Sequence, residues 1–140
     1  MSSDHNKKNK FMARAFDLAA EAYSASEIPV GAVIVEGDEI IGEGYNRQLA
    51  DSDPSAHAEI VALRRAGEEK KNFRLDGSEM YVTIEPCDMC REAIRRARIK
   101  NVFYASYKAR ASTHDVHYHG LDDYSEESCR ILKKFFEEKR

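Results

Sequence analysis

The sequence predicts an α/β fold of three layers, a mixed sheet of four to five strands with helices on both faces. Three observations predict it. Helical apolar periodicity alternates with short apolar runs in the order α-β-β-α-β-α-β, followed by a loop and a last helix. Two of the runs are separated by Glu36-Gly37-Asp38, a turn that makes them an antiparallel hairpin. A later strand–helix–strand passage requires a parallel pair joined by a right-handed crossover.

Taken in order, residues Lys10 to about Ser24 carry Phe11, Ala15, Leu18, Ala19 and Ala22 at helical spacing, and Ile28-Pro29 closes that segment. Val30 to Val35 is a continuous apolar run, and Glu39 to Gly44 returns beside it; Gly31 and Gly42 suggest close backbone approach or added twist. Tyr45-Asn46-Arg47 leads into a polar loop. Asp53-Pro54 reads as N-cap and first residue of a helix running to about Lys70, with Ile60, Leu63 and Ala66 turned inward. Met80 to Ile84 is the third strand. Pro86 opens a helix to about Ala97, and Asn101 to Ala105 is the fourth strand. Residues 106 to 122 show no clear periodicity. Asp123 with Glu126 forms a capping box for the last helix, which places Cys129, Leu132 and Phe136 on one face.

Chemistry concentrates in two stretches. His57-Ala58-Glu59 lies in or just beyond the first turn of the second helix, and Pro86-Cys87-Asp88-Met89-Cys90 opens the third. His57, Cys87 and Cys90 are three soft or borderline ligands, a set that suits one Zn²⁺ per chain and leaves a fourth tetrahedral position for water. Neutral His and two thiolates cancel the charge of the ion, and zinc makes water acidic enough to be a nucleophile near neutral pH. Glu59 is then the proton carrier, provided that it does not ligate the metal. One geometric constraint follows. Residues i and i+2 point about 200° apart around a helix, so His57 and Glu59 converge only if the site lies at the helix start. A C-x-x-C is also compatible with a redox pair or with half of a structural zinc site. A structural site wants a fourth ligand, whereas Cys129 is remote, His5 lies in the polar N-terminal tail, and His114, His117 and His119 read as a solvated loop, with a second metal as the alternative.

Length and composition bound the rest. The chain has 140 residues, enough for one domain spanning 1–140, with 42% hydrophobic and 34% charged residues. The N-terminal residues lack the apolar stretch of a secretory signal, and three cysteines do not make a disulfide framework, so a reducing cytoplasm is expected and no membrane. Net charge is −3, which argues against a dedicated duplex-DNA binder. Arg91, Arg95, Arg96, Arg98, Lys100, Lys108 and Arg110 nevertheless cluster, either as a solvated helix face or as a phosphate-contacting surface.

The H-x-E and P-C-x-x-C pair matches the signature of zinc deaminases. With Ile28 to Val33, Ile41 to Arg47, Asp53 to Ile60, Tyr81 to Cys90 and Ala97-Arg98-Ile99, the chain resembles the bacterial tRNA-specific adenosine deaminases of the cytidine-deaminase-like superfamily. That resemblance implies a homodimeric hydrolase that flips out the wobble adenosine of a tRNA anticodon loop and releases ammonia to leave inosine. It implies further that Asn46 contacts the nucleoside, that the backbones of Ala58 and Pro86 bond the base, and that Phe136 and Arg140 lie near the RNA. The chain departs from the family after the fourth strand, where Lys108-Ala109-Arg110-Ala111-Ser112 replaces a Lys-Thr-Gly-Ala-x-Gly-Ser-like loop. The alternatives are a free-base or nucleoside deaminase of the same superfamily, acting on guanine or cytosine, and a zinc-stabilised binding module without activity. A free carboxylate at Glu59 argues against the last.

Overall fold

A computed structural model describes residues 3–105, 116–121 and 130. In chain order its elements are α1 (Ser3–Ser24), β1 (Gly31–Glu36), β2 (Glu39–Tyr45), α2 (Ala58–Lys70), β3 (Ser78–Val82), α3 (Asp88–Arg96), β4 (Asn101–Tyr104) and β5 (His117–Gly120). The last helix expected from Asp123 onward, with Cys129, Leu132, Phe135, Phe136 and Arg140, lies outside the described residues, as do Lys108, Arg110 and His114.

The five strands form one sheet in the order β2-β1-β3-β4-β5. β1 is antiparallel to β2 and to β3, whereas β3, β4 and β5 run parallel. The mixed sheet and the parallel β3–α3–β4 unit are as expected. The fifth strand exists, four residues long, with Asn101 opposite His117 and Tyr104 opposite Gly120. Its pattern of His, Tyr, His and Gly carries too little apolar signal to be read as a strand on its own.

The two faces are covered by different helices. On one, Phe11, Met12 and Ala15 of α1 pack with Val33, Val35, Tyr81 and Phe103. On the other, Ala58, Ala62 and Ala66 of α2 and Ile94 of α3 pack with Ala32, Ile34, Met80, Val82 and Val102. β1 is thus buried on both sides, which is why its sequence is a continuous apolar run rather than an alternation. α1 begins earlier than its periodicity suggests, because its first turns are polar and expose no apolar stripe for sequence to reveal.

Small residues set the spacing between β2 and α2. A Cβ at Gly42 would lie 2.6 Å from the Ala62 carbonyl oxygen and 2.7 Å from the Ala66 nitrogen. One at Gly44 would lie 2.5 Å from the Ala62 nitrogen. Backbone here meets backbone, so the glycines serve close approach. The inward stripe of α2 is therefore Ala58, Ala62 and Ala66, spaced four apart. Ala66 is buried as expected; Ile60 and Leu63, also expected to point inward, are half-buried, Leu63 packing against the core beneath α2. They line a groove of about 800 Å³ between α2 and α3, together with Phe73, Leu75 and Ala93.

Candidate active site

The helix starts differ from expectation in a way that builds the site. α2 does not begin at Pro54. Asp53 Oδ1 accepts hydrogen bonds from the Ser55 N–H at 2.9 Å and the Ser55 hydroxyl at 2.7 Å, closing a local turn that competes with helix. The helix starts at Ala58, and His57 is its N-cap with extended backbone, φ −71° and ψ 156°. α3 likewise begins at Asp88, with Cys87 as an extended N-cap. Pro86 therefore precedes the cap rather than opening the helix. Neither side chain makes a capping hydrogen bond. An N-cap side chain is free to turn away from the helix axis, which removes the conflict between His57 and Glu59: only Glu59 is helical.

These two caps face each other. His57 Nδ1 lies 3.6 Å from Cys87 Sγ and 3.5 Å from Cys90 Sγ. All three ligand atoms lie within 4.8 Å of one another, the one such group among the described residues. A tetrahedral zinc with bonds of about 2.05 Å to nitrogen and 2.3 Å to sulfur sets those atoms about 3.6 Å apart. The donor set therefore fits one zinc ion in spacing as well as in kind. Both helix N-termini end here, and their partial positive charge favours thiolates.

Glu59 is 3% exposed, the second residue of α2. Burial pushes its carboxyl up to about 7, opposed by hydrogen bonds from its own backbone N–H and from the Cys90 thiol. The Cys90 thiol is driven strongly upward, first by burial and then by its neighbours Glu59 and Cys87. The Cys90 thiol and the Glu59 carboxyl, packed together, resist ionisation by themselves. A divalent cation reverses that balance.

The other expected contacts are placed in part. Asn46 is buried, at 4% exposure, and its Oδ1 accepts from the Ala58 N–H at 3.0 Å. Two groups expected to meet a nucleoside are thus bonded to each other. Pro86 is buried between β3 and Cys87. Phe136 and Arg140 lie outside the described residues.

Several residues that support the site escaped the sequence reading. Glu27, 2% exposed, accepts from the Leu49 and Ala50 N–H groups at 3.1 and 2.8 Å, pinning the loop between β2 and α2. Its only mark in the sequence is an acid beside the apolar Ile28-Pro29-Val30. Thr83 Oγ1 accepts from the Gly31 N–H at 3.2 Å, tying the end of β3 to β1 just before the cysteines. Arg91 is not part of a phosphate-facing surface. Its side chain is 10% exposed, its guanidinium sits 3.9 Å from the Tyr118 ring centroid, and Nη1 is 3.9 Å from a Glu85 carboxylate oxygen. Arg95 and Arg96 both pair with Glu92. Arg98 and Lys100 are the other described members of the basic cluster.

The fold and this centre define a metal-dependent hydrolytic enzyme built from two helix N-termini beyond the end of β3, the central strand of a mixed sheet. The chain belongs to the family of the cytidine and deoxycytidylate deaminase zinc-binding region, whose model matches residues 5–106. It is accordingly a zinc-dependent deaminase with the three-layer cytidine-deaminase-like fold. It is 40% identical to the tRNA-specific adenosine deaminase of Haemophilus influenzae over 94% of this chain and 84% of that protein. Among solved structures it resembles one from studies of A-to-I editing by tRNA:A34 deaminases at the wobble position of transfer RNA, with TM-score 0.77, 33% identity and coverage of 89% of this chain and 99% of that one. It also resembles the guanine deaminase of Bacillus subtilis, with TM-score 0.67, 32% identity and coverage of 90% and 93%. No described helix is long and apolar enough to cross a membrane.

Proposed function

We propose that the chain converts adenosine to inosine at the wobble position of a tRNA anticodon loop, with His57, Cys87 and Cys90 holding zinc and Glu59 as the catalytic residue. The observation that carries the reading is the buried carboxylate of Glu59, one residue from the Ala58–Asn46 bond and two from a ligand cap, in a chain with 40% identity to a tRNA-specific adenosine deaminase. Zinc in such a site supplies the Lewis acidity that makes water a nucleophile at neutral pH. The remaining work is proton traffic and orientation. Water adds at C6, ring N1 gains a proton, and the amino group leaves as ammonia. Glu59 takes one proton from water and passes it to N1; it then takes the remaining proton from the new C6 hydroxyl and delivers it to the leaving nitrogen, so that the C6–N bond breaks as the C6 carbonyl forms. A single carboxyl can serve both transfers because it is within reach of the site and is not needed as a ligand.

Asn46 and the start of α2 bind and orient the flipped nucleoside. The nucleotide of a loop is poorly stacked, so extruding it costs only about a few kcal/mol. The same reading has the chain act as a homodimer in a reducing compartment, where Cys87 and Cys90 stay free thiols for the metal. Likeness to a guanine deaminase supports the rival reading, a free-base deaminase.

The test is ammonia release by one zinc-loaded preparation on an anticodon stem-loop and on free guanine, cytosine and adenosine, at low and moderate salt. Turnover of the stem-loop, falling as salt rises, is expected, and Glu59→Gln should keep zinc while losing at least about 10³-fold in rate. Efficient turnover of free guanine with none of the stem-loop rejects the tRNA reading. Near-normal rates in zinc-loaded Glu59→Gln reject the assignment of Glu59.

A further inference from the structure

The connection between β2 and α2 carries a directional relay of side-chain amides. It starts at the Ala58 N–H, one of the donors that a helix start leaves without an intrahelical partner. Asn46 Oδ1 accepts that hydrogen at 3.0 Å. An amide whose oxygen faces a donor must present its nitrogen on the other side. Asn46 Nδ2 accordingly donates to Gln48 Oε1 at 3.1 Å, and Gln48 Nε2 donates to the Pro54 carbonyl at 2.9 Å. The orientation of each amide is dictated outward from Ala58. Flipping Asn46 would set its NH₂ against the Ala58 N–H, and flipping Gln48 would set oxygen against the Pro54 carbonyl. The backbone around the relay is pinned independently, by the Arg47 N–H on the Ala56 carbonyl at 2.9 Å and by Glu27 on Leu49 and Ala50.

We propose that Gln48 is a positioning residue of this active site: it locks the Asn46 amide by accepting one Nδ2 hydrogen, and so leaves the other committed to substrate. The proposal rests on the reading in which Asn46 meets the nucleoside. Asn46 alone does not secure its orientation. With one partner, at Oδ1, the side-chain amide retains torsional freedom about its terminal bond, where rotation is broad. Gln48 supplies the second anchor, and Pro54 in turn anchors Gln48. Gln48 itself stays half-buried at the surface and takes no part in the chemistry.

The test compares Gln48→Leu, which removes both halves of the relay, with Gln48→Glu, which keeps an acceptor for Asn46 and removes the donor to Pro54. Both are made in the zinc-loaded full chain. The first readout is independent of substrate: the Asn46 side-chain NH₂ followed by ¹H–¹⁵N NMR. In the wild type its two protons should be well separated and slow to exchange; Gln48→Leu should collapse the separation and speed exchange, and Gln48→Glu should not. The second is kinetic. On the stem-loop, Gln48→Leu should raise KM about fivefold, the worth of one neutral hydrogen bond, with kcat within about twofold and zinc content unchanged. Gln48→Glu should return KM to within about twofold of wild type. Wild-type NMR behaviour in Gln48→Leu overturns the proposal, as do equal KM losses in the two variants or a loss confined to kcat. If the wild type does not act on the stem-loop, the substrate reading fails, and the NMR comparison alone decides the relay.

Discussion

Gly44→Ala should separate the packing of α2 from the placement of the catalytic groups at its start. The methyl would point from β2 into the first turn of α2, 2.5 Å from the Ala62 nitrogen, 2.9 Å from Val61 Cβ, and against the Ala58 carbonyl oxygen. Two of these three obstacles are backbone, so no rotamer change relieves them. To reach an ordinary contact the first turn must withdraw by roughly 1 Å, and forcing an extra methyl into such a site costs about 1–3 kcal/mol. The upper end applies here, which for a chain of this size lowers Tm by roughly 10 °C. The displaced atoms include Ala58, between His57 and Glu59. A misplacement of about 1 Å at reacting groups costs on the order of 10²-fold in rate. Gly42→Ala is the control. Its methyl meets Ala62 and Ala66 at 2.6 to 2.8 Å, one turn further from the site. It should cost similar stability but less than about tenfold in kcat, because the helix can pivot about its N-terminal end. Thermal melts, bound zinc and kcat at saturating substrate, measured on all three proteins below the lowest Tm, make the comparison. A wild-type Tm in Gly44→Ala refutes the packing argument. Equal losses of kcat at Gly42 and Gly44 refute the link to the site.

Other expectations are more direct. Cys87→Ala should drop bound zinc from about one per chain to near none after dialysis and lower Tm as well, since metal binding energy is folding energy; full retention of zinc would remove Cys87 from the ligand set. Arg91→Leu should destabilise by about 2–3 kcal/mol in urea, because it leaves Glu85 buried beside an apolar side chain, while the salt dependence of RNA binding stays as in the wild type; a salt slope reduced by about one would return Arg91 to the phosphate surface. Arg14 forms a bidentate pair with Glu43, at 2.7 and 2.9 Å, and those hydrogen bonds hold the Glu43 carboxyl below its ordinary value of 4.5. A depressed carboxyl stabilises the fold above its unfolded value and loses that contribution as pH falls through the folded value. The stability gap between wild type and Arg14→Met should therefore be constant above about pH 5.5 and close below about 4.5, with a plateau of only about 0.5–1 kcal/mol because both side chains are about a third exposed. A gap that widens on acidification would contradict this.

Most of the sheet was legible because its strands obey local rules. Val30 to Val35 is apolar throughout because β1 is covered on both faces, and the strand–helix–strand passage from Met80 to Tyr104 admits one sensible pairing. The ligand set was legible because Cys and His at such spacing have few other uses. What sequence did not reveal is tertiary in origin. β5 is a strand because β4 offers it an edge, not because His117-Tyr118-His119-Gly120 favours one. Arg91 reads as a surface cation until Tyr118 and Glu85, one of them 27 residues away in sequence, are seen to enclose it. The inward face of α2 was legible only in part, at Ala66 and Leu63, because large apolar residues are the usual marker of burial, whereas here closeness to Gly42 and Gly44 also selects Ala58 and Ala62 and leaves Ile60 half-buried in a groove.

The most informative departures fall at the two helix caps. Asp53-Pro54 is a better helix start by local preference than Ala56-His57, and a Ser, Thr, Asp or Asn would stabilise either cap by about 1 kcal/mol over a residue that makes no capping bond. The chain instead spends both N-caps on His57 and Cys87, whose side chains turn from their helices toward one another. Asp53 is diverted into a turn with Ser55 that delays the helix by four residues. Had α2 begun at Pro54, His57 and Glu59 would both be helical and would diverge by about 200°. Delaying the start to Ala58 is what lets an imidazole outside the helix and a carboxylate inside it serve one site. A local rule is broken at the positions where obeying it would separate His57 from Glu59, the residues proposed as metal ligand and proton carrier.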